Sequence, residues 1–400
     1  MSHANSHAKI ENPGSFQASP GLKMMFAGLA LVGVVAFLGG LRVDSQRAWA
    51  AFLQNHFFFM SLGLGGLFFA ALQWLTGSMW SAPLRRVSES FTAYLPFAFV
   101  TTAVVYFGIH DLYVWSHIEH VQGDVVMEGK SGYLSQNFFM IRNLLAVAFW
   151  MFFARKMIGN SIAQDANGDY SFTEKNRALS PGFLAFFGVS FTMAAFDFLM
   201  SLDPHWFSTM FGVYCFAGLF YSTLALTCIM TIFLVNQGKL KGLVNDNHLH
   251  DLGKFMFAFT VFWAYIGFSQ FMLIWYANMP EETGYFMRRM VGNWMYVTVF
   301  LLIGKFMTPF FMLLPRDAKR NPKQLVRVGV FMMVAQWIDM LWIVQPEFYK
   351  NGPKVGWIEL GVTAGFVGVF FTLIFRFLSR HNVVAIGDPR LAQSVHHHHQ

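Results

Sequence analysis

The 400-residue chain is poor in charge. Lys, Arg, Asp and Glu together make up 12% of it, about half the share found in an ordinary soluble domain. Cysteine is almost absent: Cys215 and Cys228 lie inside one apolar run. Two buried thiols cannot hold an iron–sulfur cluster, which normally takes four. There is no Gly-rich phosphate loop and no His/Cys set at metal-binding spacing. No secretory signal is readable, because the first 21 residues are polar and no basic start leads into an apolar stretch. No run of like charge is long enough to form a tail. The composition excludes a soluble enzyme, a disordered segment and a nucleic-acid binder, so the net charge of +7 is not a DNA footprint.

Apolar residues fill the space that charge leaves. They are 55% of the chain, enough for roughly ten bilayer spans of ~20 residues each. Ten segments are readable, at 22–41, 55–77, 87–109, 135–157, 180–200, 206–236, 252–277, 290–314, 325–346 and 355–378. The strongest break in the pattern is 158–179, a charged Gly/Asn/Asp stretch. No connection is long enough for a soluble domain, so any large element outside the membrane belongs to other chains. The expected fold is an all-α integral membrane protein with ten transmembrane helices. Lys and Arg number 19 in the two tails and the connections after spans 2, 4, 6 and 8, against 7 on the opposite side. Arg142 and Lys305 lie within spans. Positive charge favours the cytoplasmic side, which places both tails (1–21 and 379–400) in the cytoplasm.

A repeat runs beneath the composition. Gly66-Leu67-Phe68 in span 2 returns as Gly218-Leu219-Phe220 in span 6. Trp115 follows His110 by five residues, as Trp275 follows Gln270. Asn137-Phe138 at the start of span 4 matches Asn293-Trp294 in span 8. Asp197 precedes Asp203-Pro204 in span 5 at the spacing by which Asp339 precedes Gln345-Pro346 in span 9. Four matches in the same order predict two parallel four-helix bundles, 55–200 and 206–346, flanked by helices 22–41 and 355–378. The competing explanation is shared membrane composition. Parallel repeats are a known membrane architecture.

Ionisable groups inside a bilayer cost about 2.5–3.5 kcal/mol each on insertion scales, so each calls for a reason. His110 and Asp111 close span 3, Arg142 lies about two turns into span 4, and Asp197 lies ~9 Å below the end of span 5 at 1.5 Å per residue. Arg142 and Asp197 are at a depth where they can pair. The expected proton-handling set is His110, Asp111, Arg142, Asp197 and Asp339, since histidine titrates near neutrality and a buried carboxylate can rise to meet it. The bland alternative is an Arg–Asp clamp between helices. The second bundle has Gln270 where the first has His110, which directs redox-linked chemistry to the first bundle. Lys305 is either part of an inner half-channel or a side chain that snorkels to the interface, and the latter is favoured. His117, Glu119, Tyr276, Asn278 and Glu281 mark an outer docking rim, unless these are ordinary solvated loops. A membrane-held haem b needs a His pair from facing spans. Only His56 and His110 touch a span, each at its edge, so no haem is expected. The His396–His399 run is left out of site reasoning.

Three strings carry a resemblance: Asp197–Phe207 (DFLMSLDPHWF), Ser269–Glu282 (SQFMLIWYANMPEE) and Gly65–Arg86, with a tail near Gly387-Asp388-Pro389-Arg390. Over nearly its whole length the chain resembles the NrfD-type, or polysulfide-reductase-type, family of membrane subunits. Within that family it is most similar to the second ten-helix (F-type) subunits of bacterial alternative complex III, a quinol:electron-acceptor oxidoreductase. The resemblance implies a bacterial inner-membrane location and two four-helix bundles. It implies partners: a sister ten-helix C-type subunit, a multi-haem cytochrome c, an iron–sulfur protein, a mono-haem cytochrome c, small membrane subunits and, in some members, a haem-copper oxidase. Haem c and iron–sulfur clusters then belong to partners. This chain is expected to hold no cofactor beyond an unproven quinone, menaquinone or ubiquinone. The implied function is proton conduction and scaffolding, with quinol oxidation in the sister subunit. A purely structural anchor and a stand-alone secondary transporter are the competing functions. Transporters usually break helices at mid-membrane, whereas here Pro83, Pro204, Pro280 and Pro346 sit at span ends.

Overall fold

A computed structural model describes residues 11–396 of the chain. Among these, every long element is helical, and the only β pairing is an isolated bridge between Lys241 and Val244. Ten helices are long and apolar enough to cross a membrane: α1 (Pro20–Val43), α2 (Ser45–Thr76), α3 (Ala82–Leu112), α4 (Gln136–Asn167), α5 (Ser171–Leu202), α6 (Phe211–Asn236), α7 (Asp246–Ala277), α8 (Trp294–Leu313), α9 (Pro322–Glu347) and α10 (Trp357–Arg380). Short helices at Ile118–Val121, Val125–Lys130 and Pro280–Arg288 occupy the connections. The expected tails extend at both ends beyond the described residues.

Caps explain why several helices outrun their apolar cores. The Asp44 carboxylate accepts the Arg47 N–H at 3.1 Å, so α2 starts ten residues before the expected segment at 55. Its other end closes on Gly77 at φ 65°, a left-handed conformation that costs glycine little. The break expected at 158–179 shrinks to Gly168–Tyr170, because α4 runs on to a similar left-handed Gly168 cap. Asn321 accepts from the Lys323 and Gln324 N–H groups at the start of α9. Such caps satisfy the first free amides of a helix.

α2 and α6 lie at the centre, with most of their residues buried. They approach closely at Gly65, where an added Cβ would come within 2.0 Å of Thr223 Oγ1. α2 packs on α3 and α5, and α6 packs on α7 and α9. α4 packs on α5, and α8 packs on α7 and α9. α1 lies along α10, where a Cβ on Gly33 would meet Gly365 Cα at 2.1 Å. Close approach through small residues is how membrane helices gain packing without a hydrophobic drive. The two ends of the chain meet at one end of the bundle: Phe16 N donates to Leu378 O at 2.9 Å, and Val383 N donates to Gly14 O at 3.1 Å.

Candidate functional site

A fully buried ion pair lies where α6, α7, α8 and α9 meet. Lys305 is 0% exposed and Asp339 is 1% exposed. The Lys305 ammonium donates to Asp339 Oδ2 at 2.6 Å and to Gln336 Oε1 at 2.8 Å. Tyr214 on α6 donates its hydroxyl to the other oxygen, Asp339 Oδ1, at 2.5 Å. The Trp263 ring on α7 lies 3.8 Å from the ammonium, within cation–π range. Four helices thus converge on one ion pair.

Local sequence explains the aim of Lys305. It sits in a π-helical stretch, Leu301–Met307, inside α8. Such stretches are uncommon and recur at functional sites. A helical side chain leans toward the N-terminus of its helix. Lys305, eleven residues into α8, therefore reaches back toward Asp339, which lies six residues before Gln345. The snorkelling expected of Lys305 is corrected here: its ammonium is enclosed in protein and bonded to a carboxylate and an amide.

A second ion pair joins α4 and α5. Arg142 grips Asp197 with two bonds, Nε to Oδ2 and Nη2 to Oδ1, each 2.8 Å. Asn143 Nδ2 adds a third at 2.9 Å. The guanidinium lies 3.8 Å from the Tyr133 ring and 4.5 Å from the Phe138 ring. The pair anticipated from depth is present. Its geometry is the planar fork that suits arginine and carboxylate.

The other residues of the expected proton set are elsewhere. His110 is exposed, and its ring nitrogens face Ser116 Oγ at 3.2 Å and Gln136 Nε2 at 3.0 Å. Its backbone carbonyl is 2.8 Å from His117 Nε2. Asp111 accepts from Ser45 Oγ at 3.1 Å. Neither makes a hydrogen bond to Asp197 among the described residues. The Asp197 carboxylate is instead taken by Arg142 and Asn143. Glu119, Tyr276, Asn278 and Glu281 are all exposed. Asn278 caps α7 at φ 48°, and its N–H donates to Ile274 O at 2.9 Å. Along this rim His205 Nε2 meets Asp124 Oδ2 at 2.6 Å. The Met127 N–H and the His205 bond hold the Asp124 carboxyl below its ordinary value.

His56 also departs from expectation. The sequence places it at a span edge, yet the early start of α2 puts it eleven residues into that helix, 0% exposed. Its ring contacts Thr101 Oγ1 at 2.9 Å and Thr102 Oγ1 at 3.4 Å.

Other polar clusters went unread in the sequence. Arg85, Arg86 and Glu89 are fully buried within α3. Arg85 bonds Asp388 of the C-terminal tail and Glu89, while Arg86 bonds Asp165 at 2.8 Å. The signal was available in the alternation of charge in Arg85-Arg86-Val87-Ser88-Glu89, but the expected span began at 87. At the other end, Arg288 bonds Asp203 and Glu347, and Arg289 donates to the carbonyls of Tyr285, Trp342 and Ile343. These contacts tie the α5 end to α9. Among the described residues, no three His, Cys, Asp or Glu side chains converge as a metal site.

No known family model matches the chain, and no curated protein matches it significantly.

Proposed function

We propose that this multi-pass membrane protein handles protons at the Lys305–Asp339 pair, as a subunit of a respiratory quinol:electron-acceptor oxidoreductase. The observation that carries the proton role is the pair itself: Lys305 stands in a π-helical turn, Tyr214 bonds the same carboxylate, and four helices enclose the group. A lysine and a carboxylate can exchange a proton, and a tyrosine hydroxyl bonded to the carboxylate offers an exit. Intramembrane ionisable residues mark proton relays when they are not merely structural.

The resemblance described above supplies the rest of the reading. Two parallel four-helix bundles, α2–α5 and α6–α9, scaffold a sister ten-helix subunit and extramembrane haem and iron–sulfur proteins at a bacterial inner membrane. The matching contacts of α2 and α6 favour that arrangement. The first bundle contributes a fixed clamp at Arg142–Asp197, and Asp197 remains a proton candidate only if its arginine releases it.

The test is Asp339→Asn in the purified assembly. Proton movement is expected to fall at least tenfold while the partner chains still co-purify. Unchanged proton movement rejects the role. Loss of the partner chains favours a structural anchor.

A further inference from the structure

At the end of the bundle where the two chain ends meet, α3, α4 and the last turn of α10 border an open groove of about 630 Å³. This lies within the ~300–1,000 Å³ of small-molecule sites. The groove follows from α3, which tightens into a 3-10 turn at Thr92–Tyr94 and carries Pro96 just beyond it. A 3-10 turn is tighter than an α-helical one. Ala93, Ala148 and Gly159 then line the gap with little or no side chain.

Two of the thirteen lining residues are polar, Thr92 and Arg155. The Thr92 hydroxyl donates to Glu89 O at 2.7 Å, so its proton is spent. Arg155 is exposed, and among the described residues it makes no hydrogen bond and no ion pair. It lies nineteen residues after Gln136, the first residue of α4, about 28 Å along the helix at 1.5 Å per residue. That is close to the ~30 Å thickness of a hydrocarbon core. Arg376, next to the lining residue Phe377, lies nineteen residues after Trp357, the first residue of α10. Both helices thus bring an arginine to the level where acyl chain gives way to headgroup, and a long basic side chain reaches for that level. Lys156 and Arg380 follow on the same two helices. None of these four cations is in an ion pair among the described residues. The carboxylates at this end of α3 and α4, Glu89 and Asp165, are already bonded to Arg85 and Arg86.

We propose that this groove binds a glycerophospholipid with a net negative headgroup, its phosphate on Arg155 and an acyl chain along the apolar wall. The phosphate follows from an arginine with all its donors to spare, because a guanidinium fork matches phosphate oxygens. The acyl chain follows from the wall, where Arg155 and Thr92 alone carry polar side-chain atoms. The net charge follows from the neighbours. A choline or ethanolamine ammonium would sit among Arg155, Lys156, Arg376 and Arg380 with no carboxylate left to meet it. Basic residues at a membrane surface attract anionic lipid. A free phosphate would meet Arg155 but leave the apolar wall uncovered. The proposal is independent of the proton reading, since no residue of the Lys305–Asp339 network lines the groove.

The test is native mass spectrometry of the delipidated full chain, titrated in detergent with phosphatidylglycerol or with phosphatidylcholine of the same acyl chains. One tightly held phosphatidylglycerol is expected per chain, with phosphatidylcholine held about tenfold more weakly. Arg155→Gln should weaken phosphatidylglycerol about tenfold, a typical loss for a hydrogen bond to a charged group. Gly159→Phe should abolish retention. A Cβ at Gly159 meets no protein atom within 4 Å, so the new ring fills the groove without displacing the helix. Its melting temperature shows whether the chain still folds; if it does not, the Arg155→Gln result decides alone. Arg327→Gln is the control: Arg327 is an exposed cation in α9 at the same end of the bundle, off the groove, and its loss should leave retention unchanged. The proposal falls if phosphatidylcholine is held as tightly as phosphatidylglycerol, if Arg155→Gln weakens retention no more than Arg327→Gln, or if a folded Gly159→Phe still holds the lipid.

Discussion

Of the ion pairs that join neighbouring helices, Arg142–Asp197 and Lys305–Asp339 occupy matching places and differ in their cation. At α4–α5 the cation is arginine, held by two bonds of 2.8 Å to Asp197 and flanked by the Tyr133 and Phe138 rings. A guanidinium does not lose its proton in a protein, so that pair is fixed in charge and in shape. At α8–α9 the cation is lysine, a compact charge on a flexible stem. It shares its carboxylate with Tyr214 and has a polar neighbour in Gln336. The two carboxylates stand at matching places, Asp197 six residues before Asp203-Pro204 and Asp339 six residues before Gln345-Pro346, yet one is held by arginine and the other by lysine and tyrosine. Matching position does not fix the partner here, since the two carboxylates differ in the cation they hold.

The comparison predicts unequal responses to mutation. The largest effect is expected from Asp339→Leu, which leaves Lys305 buried and unpaired. Orphaning a buried charge costs about 3–5 kcal/mol, read as a fall in detergent-solubilised melting temperature. Lys305→Met with Asp339→Leu should restore most of that loss. Asp197→Leu should cost less, because the Arg142 side chain keeps 10% exposure and has an escape to solvent. An equal or greater loss for Asp197→Leu would erase the distinction in burial.

Arg142→Lys comes next. It forfeits the bidentate geometry, and hydrogen bonds to charged groups are worth about 1.5–3 kcal/mol. Thermal unfolding should report a loss there and a smaller one for Tyr214→Phe, which removes a single donor. If Arg142→Lys is neutral, the fork does not act as a clamp.

The smallest effect concerns the tail. Burial pushes the Asp388 carboxyl up, but Arg85 beside it and the Arg390 N–H hold it below the ordinary carboxylate value. A folded value below the unfolded one means that the Asp388 contribution is full above the ordinary carboxylate range. It is lost as pH falls through the depressed value. Limited proteolysis should therefore find the tail near Gly387 protected at neutral pH and opened only under strongly acidic conditions. Asp388→Asn should open it at neutral pH as well.

The span count was legible because hydropathy needs no tertiary knowledge. The Arg142–Asp197 pair was legible because both charges sit near matching helix ends, so depth alone brought them together. Lys305 was misjudged for the opposite reason. It lies eleven residues into α8, and neither the π-helical turn nor the backward lean of the side chain leaves a mark in residue order. Arg85, Arg86 and Glu89 were missed because a polar half-helix, buried in protein and not in lipid, falls below any hydropathy threshold. His56 was misplaced because the Asp44 cap starts α2 well before its apolar run. Trp263, Tyr214 and Gln336 join the site through packing between distant helices, which spacing cannot show.

The most direct test of a fixed pair against an exchangeable one is proton movement in liposomes holding the assembled complex, with each pair removed whole so that no charge is orphaned. Lys305→Met/Asp339→Leu is expected to abolish proton movement, and Arg142→Met/Asp197→Leu is expected to preserve it per assembled complex. Preserved proton movement in the first, or its loss from a fully assembled second, would contradict the account.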